Sequence, residues 1–315
     1  MYLCTGPRRI EYICIAYLAI VSTIAPGLPP ASVYPGSLVV IVGAYVGLCS
    51  LPVLAFRAAR GRGSRAMFFR CLALIGTGIS IDRLLVLNSH LAVLKLDRYL
   101  YALDLRTIGF EPGFALAASG IHRYLLPIES FTYYSLPLAT TLVYAGHIRA
   151  AKPRSANFLL IATANMIIGY ALYMFYPAAG PVYAFPGSFG AHAPVLRGVY
   201  AQAISAPANA MPSLHISAAL LIWWNSRHLP WARRVAMAYL CLTVLATLGL
   251  GEHYFLDLVV AVPYALFIQA IGERGRSRLT SVAAGAGIVA AWLFALRFGF
   301  SVLSSSPCCY VPAWS

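Results

Sequence analysis

The stretch Gly251-Glu252-His253-Tyr254-Phe255-Leu256-Asp257 stands at the start of a long apolar segment. Roughly 40 residues earlier, Met211-Pro212-Ser213-Leu214-His215 opens another apolar segment. Ionisable side chains are costly to place in a membrane and usually have a function there. The two motifs therefore predict a membrane protein with a chemical site at one end of its helices.

The composition agrees with that class. The chain has 315 residues, of which 60% are hydrophobic and 10% are charged, whereas soluble domains carry about 25% charged residues. Its net charge is +14, but the arginines fall in short loops between apolar runs. The positive charge therefore predicts membrane orientation, and no nucleic-acid partner is expected.

A transmembrane helix needs roughly 20 apolar residues. The sequence predicts an all-α, polytopic membrane protein with about nine such helices. Their expected ranges are 10–26, 36–56, 67–87, 127–146, 156–176, 212–226, 235–251, 253–271 and 279–300. The first segment resembles a signal peptide, but Glu11 interrupts it and no clear cleavage site follows, so we expect it to be retained.

Every second connection is basic, which predicts that these connections are cytoplasmic. Their basic residues are Arg8, Arg9, Arg57, Arg60, Arg62, Arg65, Arg70, Arg149, Lys152, Arg154, Arg227, Arg233, Arg234, Arg274, Arg276 and Arg278. The amino terminus is then cytoplasmic, and both histidine motifs lie on the extracytoplasmic side.

Two long outer segments join the predicted helices. In residues 88–126, leucines alternate with charges, which is typical of a helix in the membrane interface and predicts either a solvated connector or a lid. Residues 177–211 are rich in proline, and Arg197 is their only formally charged residue. We expect this second segment to form a roof over the site.

The spacing of the polar residues indicates phosphoryl transfer. His253 and Asp257 share one helix face at i and i+4, so the carboxylate can orient the ring for nucleophilic attack. Pro212 suits a first helical turn, which would leave the N–H groups at Ser213 and His215 free to bind an anion. His215 can then protonate a leaving oxygen. From spacing alone, a zinc site and a structural or transport role remain open.

The same residues resemble a known family. Pro212-Ser213-Leu214-His215 and His253-x-x-x-Asp257 are similar to the P-S-G-H and S-R-x5-H-x3-D signatures of the type 2 phosphatidic acid phosphatase superfamily. Leu214, together with Tyr176-Pro177-Ala178-Ala179-Gly180-Pro181, looks like the inositol phosphorylceramide synthase branch. The resemblance implies a six-helix core without metal or cofactor, in which His253 forms a phosphohistidine, Asp257 orients it and His215 is the general acid.

We accordingly expect four regions. These are additional helices at 1–90, an extracytoplasmic interfacial segment at 91–126, the catalytic core at 127–271, and a final helix and tail at 272–315.

The chain departs from the superfamily where the phosphate should be held. The K-x6-R-P signature is absent, and Ala246 and Thr247 stand at the positions of the usual Ser-Arg pair. Ser213, Arg197 and Arg123 are the candidate phosphate-binding residues. Arg106 and Arg83 are further outer cations, and a headgroup anchor is the alternative role for each arginine.

The sequence thus predicts an enzyme that transfers a phospho-headgroup from a membrane lipid to an alcohol. A lipid phosphatase would use the same residues, with water as the acceptor. A lipid transporter or scaffold without turnover is the alternative from another class. The presence of both histidines and the aspartate favours an enzyme.

Overall fold

The computed structural model describes residues 85–136, 139–140, 142–143, 155–227, 230–273 and 278–305. The predicted helices at 10–26 and 36–56, most of the one at 67–87, and Arg83 lie outside the described residues. The total of nine helices therefore stays a prediction.

The described part of the chain is mostly helical, as predicted. Its elements are β1 (Leu94–Lys95), α1 (Asp97–Ile108), α2 (Pro112–Ala117), α3 (His122–Tyr134), α4 (Ser155–Phe175), α5 (Pro181–Ala184), β2 (Gln202–Ala203), α6 (Leu214–Asn225), α7 (Pro230–Gly249), α8 (Phe255–Gly272) and α9 (Arg278–Ser305). The two short strands pair with each other in antiparallel orientation.

Three helices are long and apolar enough to cross a membrane: Trp231–Gly249, Phe255–Gly272 and Arg278–Phe298. Leu160–Phe175 and Leu214–Asn225 are also apolar but shorter. At 1.5 Å per residue, α6 is about 18 Å long, whereas the hydrocarbon core of a bilayer is about 30 Å thick. The chain is thus a membrane protein, and the helical part of the span predicted at 212–226 is shorter than the hydrocarbon core.

Helix α8 lies between α4, α6 and α9. Its buried face carries small residues such as Ala261 and Ala265, which are fully buried and allow close packing of helices. Tyr264 of α8 donates a hydrogen bond to the main-chain oxygen of Asn165, and Ser217 of α6 donates to the Asn165 side chain at 2.7 Å. These buried polar contacts link α4, α6 and α8.

Of the two alternatives for the outer segment 91–126, a solvated connector does not fit its buried aspartates, and a lid stays a prediction. The segment forms α1, α2 and the start of α3, and its leucines Leu91 and Leu94 are exposed while Asp97 and Asp104 are fully buried. The reason lies in contacts with distant segments: both carboxylates accept hydrogen bonds from main-chain N–H groups of the roof or of the start of α8, which would otherwise be buried without a partner.

The roof segment 177–211 contains only α5 and β2 as regular structure, as its proline content predicts. It packs on the outer segment. The hydroxyl group of Tyr101 donates to the main-chain oxygen of Pro194 at 2.9 Å, and the Phe114 ring lies 5.3 Å from that of Phe189. The roof and the outer segment therefore form one layer.

Gly180 marks a close approach between the roof and the loop before α8. Its φ is +110°, and a Cβ atom there would lie 2.5 Å from the main-chain oxygen of Glu252. Gly180→Ala should therefore lower the free energy of unfolding by about 1–3 kcal/mol, measured by thermal unfolding in detergent. Gly187→Ala is the matched control, because nothing lies within 4 Å of a Cβ atom at Gly187. Equal melting temperatures for the two variants would contradict this account.

Candidate active site

The first half of the site is the start of α6. Ser213 is the N-cap, and its Oγ accepts a hydrogen bond from the N–H group of Ile216 at 3.4 Å. The helix begins at Leu214, so Pro212 precedes the cap. The prediction that Pro212 lies in the first turn is therefore wrong. The N–H group of Ser213 donates to the main-chain oxygen of Asp257 at 3.2 Å and is not free. The Ser213 hydroxyl keeps its own proton for donation to a ligand.

The second half is the start of α8. Asp257 lies in the first turn, and its Oδ2 accepts the N–H group of Tyr254, the N-cap residue, at 2.7 Å. A carboxylate at this position satisfies an N–H group that has no partner within the helix. The helix therefore begins at Phe255 and leaves His253 in the short loop between α7 and α8.

His253 is oriented chiefly by a main-chain group. Its Nδ1 lies 2.9 Å from the main-chain oxygen of Ala210 and 3.6 Å from Oδ2 of Asp257. A carbonyl oxygen only accepts hydrogen bonds, so Nδ1 carries the proton and Nε2 holds the lone pair. Sequence reasoning expected the carboxylate as the acceptor and missed Ala210, because a main-chain carbonyl leaves no signal in the sequence.

The free nitrogen of His253 is available for chemistry. Nε2 is buried and has no hydrogen-bond partner among the described residues, and the residue as a whole is 1% exposed. Burial lowers the pKa of His253 to about 4, although nearby Glu252 and the bond to Ala210 act in the opposite direction. The ring is therefore neutral at neutral pH and presents a nucleophilic lone pair.

The structure brings the second histidine to the same place. The ring centroids of His215 and His253 are 6.1 Å apart, with an interplanar angle of 60°. A phosphorus atom about 3–3.5 Å from a nucleophile, with its leaving oxygen about 3 Å from an acid, fits a separation of this size. Tyr133 of α3 stacks on His215 at 3.7 Å and 20°, a contact that the sequence did not predict.

Two further carboxylates adjoin the site, and the sequence did not identify either as functional. Asp97 accepts hydrogen bonds from the N–H groups of Ala179 and Gly180, and Asp104 accepts them from those of Phe255 and Leu256. Burial raises the pKa of Asp97 to about 6 and that of Asp104 to about 8; the charge of nearby Asp257 contributes to both increases, and the main-chain hydrogen bonds act in the opposite direction.

The predicted phosphate-binding arginines lie on the surface. Arg123 is exposed and donates to the Tyr124 hydroxyl at 2.6 Å, and Arg197 is exposed in the roof. The structure shows no contact of either arginine with His215 or His253 among the described residues. Their role in phosphate binding therefore stays a prediction.

Arg297 is a cation that sequence reasoning did not consider. It belongs to α9, is half-buried, and lies within electrostatic range of the Tyr176 hydroxyl at the start of the roof.

No group of three or more His, Cys, Asp or Glu side chains that could hold a metal ion occurs in the described ranges. What the described site offers is two imidazoles, one of them with a free lone pair, and a carboxylate 3.6 Å from the first ring. These groups can carry nucleophilic and acid–base chemistry.

A family model described as the PAP2 superfamily matches residues 98–271, which are more than half of the chain. This range contains both histidine motifs and the buried Asp104 of α1, and it begins one residue after Asp97. No curated protein and no solved structure matches the chain. The chain belongs to the PAP2 superfamily, whose members are generally phosphatases or phosphotransferases acting on lipid phosphates.

Proposed function

We propose that this membrane protein is a lipid phosphotransferase of the inositol phosphorylceramide synthase type, which moves a phospho-headgroup from a phospholipid to the hydroxyl group of a sphingolipid. The observation that carries the chemistry is the pair of rings 6.1 Å apart, with Nε2 of His253 buried and unpartnered among the described residues. The Tyr176–Pro181 stretch and Leu214 favour this branch.

The reaction has two steps. Burial and the neighbouring His253 ring lower the pKa of His215 to about 3, so its ring is neutral in the free enzyme and takes up a proton when the anionic phosphate binds beside it. Nε2 of His253 then attacks phosphorus, the bond between phosphorus and the diacylglycerol oxygen breaks, and His215 donates this proton to that oxygen. The acceptor alcohol then gives its proton to His215 and attacks phosphorus, so that the bond from phosphorus to Nε2 breaks and free His253 returns. Ala210 and Asp257 stabilise the positive charge on the phosphorylated ring.

We also propose the membrane arrangement that the basic loops predict. The amino terminus is cytoplasmic, nine helices span the membrane and the histidines act on the extracytoplasmic side. The layer that the roof and the outer segment form over the site supports transfer to an alcohol rather than hydrolysis, because a phosphohistidine must be shielded from water if an alcohol is to be the acceptor.

A lipid panel tests the activity. Purified protein is incubated with phosphatidylinositol and short-chain ceramide, and separately with phosphatidic acid, and the products are measured by mass spectrometry. Inositol phosphorylceramide and diacylglycerol in equal amounts are expected. Release of inorganic phosphate from phosphatidic acid, without transfer, would identify a phosphatase instead.

The two histidines should behave differently in this assay. His253→Ala should abolish turnover because the nucleophile is lost. His215→Ala should accumulate an acid-labile phosphoprotein if the acceptor step is slower without its base. Activity of His253→Ala equal to that of the unmodified protein would exclude the mechanism.

Tyr133 should affect the acid step. His215 must carry a proton to act as an acid, and an aromatic face stabilises a cation by about 1 kcal/mol, or roughly fivefold in rate. Tyr133→Leu should therefore lower kcat by about that factor. Because the protonated form of His215 is then less stable, the loss of activity at alkaline pH should begin at a lower pH. Tyr133→Phe keeps the ring and should keep the rate. Phe131→Leu, on the exposed side of α3, is the control. Identical pH profiles for the two leucine variants would refute the role of the stack.

The phosphate also needs compensating charge. Loss of one hydrogen-bond donor to the transferred group commonly lowers the rate about a hundredfold. We therefore expect Arg197→Ala or Arg123→Ala to lower turnover about a hundredfold. Lysine should restore only part of the rate because it lacks the planar fork. Arg297→Ala tests the third cation, and exposed Arg234→Ala at the other end of the helices is the control. Unchanged turnover in the first three variants would assign phosphate binding to Ser213 and main-chain N–H groups alone.

A further inference from the structure

Helix α1 carries two buried carboxylates outside the histidine pair. Asp97 and Asp104 are both fully buried. They are seven residues apart, which is about two helical turns, so they lie on one face of α1. Each carboxylate accepts several hydrogen bonds from a segment that forms the active site.

Asp104 holds the start of α8. Its Oδ2 accepts the N–H group of Phe255 at 2.8 Å, and its Oδ1 accepts that of Leu256 at 3.1 Å. These are first-turn donors without partners inside the helix, and an acidic group is favoured at a helix start. Because Phe255 follows His253 by two residues, this contact fixes the chain immediately beside the nucleophile.

Asp97 holds the roof and the loop of the nucleophile together. Its Oδ1 accepts the N–H group of Gly180 at 2.8 Å, that of Ala179 at 3.1 Å and the hydroxyl group of Tyr254 at 3.0 Å. Its Oδ2 also lies 3.1 Å from the nitrogen of Ala179. One carboxylate therefore connects the roof to the residue next to His253.

A chain of hydrogen bonds continues from Asp97 to the nucleophile. The main-chain oxygen of Ala178, next to the amides held by Asp97, accepts the N–H group of Ala210 at 2.9 Å. The main-chain oxygen of Ala210 is in turn 2.9 Å from Nδ1 of His253. The ring orientation that leaves Nε2 free thus depends on where α1 holds the roof.

We propose that Asp97 and Asp104 are positioning residues, which keep Nε2 of His253 aimed at the phosphorus atom by fixing the roof and the start of α8. The inference rests on the proposed function for its kinetic consequence. Four main-chain N–H groups near the site are already occupied by these carboxylates, so they do not bind the phosphate. The outer segment is in this way part of the active site.

The number of acceptor oxygens gives a sharp test. An asparagine has one acceptor oxygen and one donor amide. At Asp104 the two N–H groups use different oxygens, so Asp104→Asn loses one bond and places two donors face to face. At Asp97 one oxygen receives all three partners and the other shares only the N–H group of Ala179. Asp97→Asn therefore keeps three of the four contacts and sets one donor against Ala179, whereas Asp97→Leu loses all four.

The experiment uses the full-length protein in nanodiscs, with phosphatidylinositol and short-chain ceramide as substrates. Displacement of a reacting group by about 1 Å can lower the rate about a hundredfold. Asp104→Asn and Asp97→Leu should lower kcat on the order of a hundredfold with KM unchanged, and Asp97→Asn should lower it much less. Thr107→Val, on the exposed face of α1, is the matched control and should retain the rate.

Hydrogen exchange followed by mass spectrometry provides a readout that needs no substrate. In Asp104→Asn, exchange at Phe255 and Leu256 should rise on the order of tenfold, while exchange in α9 stays unchanged. If the unmodified protein turns over no lipid, the proposed function fails, and faster exchange still supports the hydrogen-bonded clamp. Unchanged exchange at these amides would overturn the clamp whatever the activity.

A milder variant applies if an aspartate variant does not fold. Tyr254→Phe removes only the hydroxyl bond to Asp97 and keeps the ring, so it should fold and lower kcat without changing KM. A kcat equal to that of the unmodified protein in both Tyr254→Phe and Asp104→Asn would overturn the positioning role.

Discussion

Buried main-chain N–H groups without helical partners are the constraint on which this active site depends. Sharp starts at α6 and α8, and a roof that turns through Gly180, leave several such groups beneath the outer layer. Each unpaired donor would cost about 1–3 kcal/mol. Carboxylates accept hydrogen bonds from many of these groups: Asp257 from the N-cap residue of α8, Asp104 from its first turn and Asp97 from the roof. The acidic groups concentrated here are thus explained by the backbone that they bind.

That arrangement has a consequence for catalysis. Carboxylates near a phosphate site would repel the substrate if they were fully charged, but burial raises the pKa of Asp97 and Asp104 toward or above neutrality. Each carboxylate also directs its oxygens at N–H donors. The nucleophile is held by a neutral carbonyl group, that of Ala210, and presents a neutral imidazole. The pocket can therefore accept an anionic phosphoryl group although its surroundings contain several acids.

Close packing explains how separate segments converge on one point. A Cβ atom at Gly180 would meet the main-chain oxygen of Glu252, and one at Gly249 would lie 2.5 Å from the carboxylate of Glu129. These glycines let the roof approach the loop before α8 and let α3 approach α7. Tyr133, which stacks on His215, belongs to the same α3 helix. The close approach of these segments at glycine positions is thus as important to the site as its charged residues.

By itself, the sequence determined the membrane class, the approximate position of each described apolar helix and the identity of the two histidine motifs. These features are local, because apolar length and residues four apart on a helix are properties of one segment. The features that only the tertiary structure decided are contacts between segments that are distant in the sequence. Ala210 as the acceptor for His253, Tyr133 on His215, and the burial of Asp97 and Asp104 arise only when α1, the roof and the helix starts pack together. A pattern that alternates leucine with charge predicts an interfacial helix, either a solvated connector or a lid, and only packing reveals that its carboxylates face buried N–H groups.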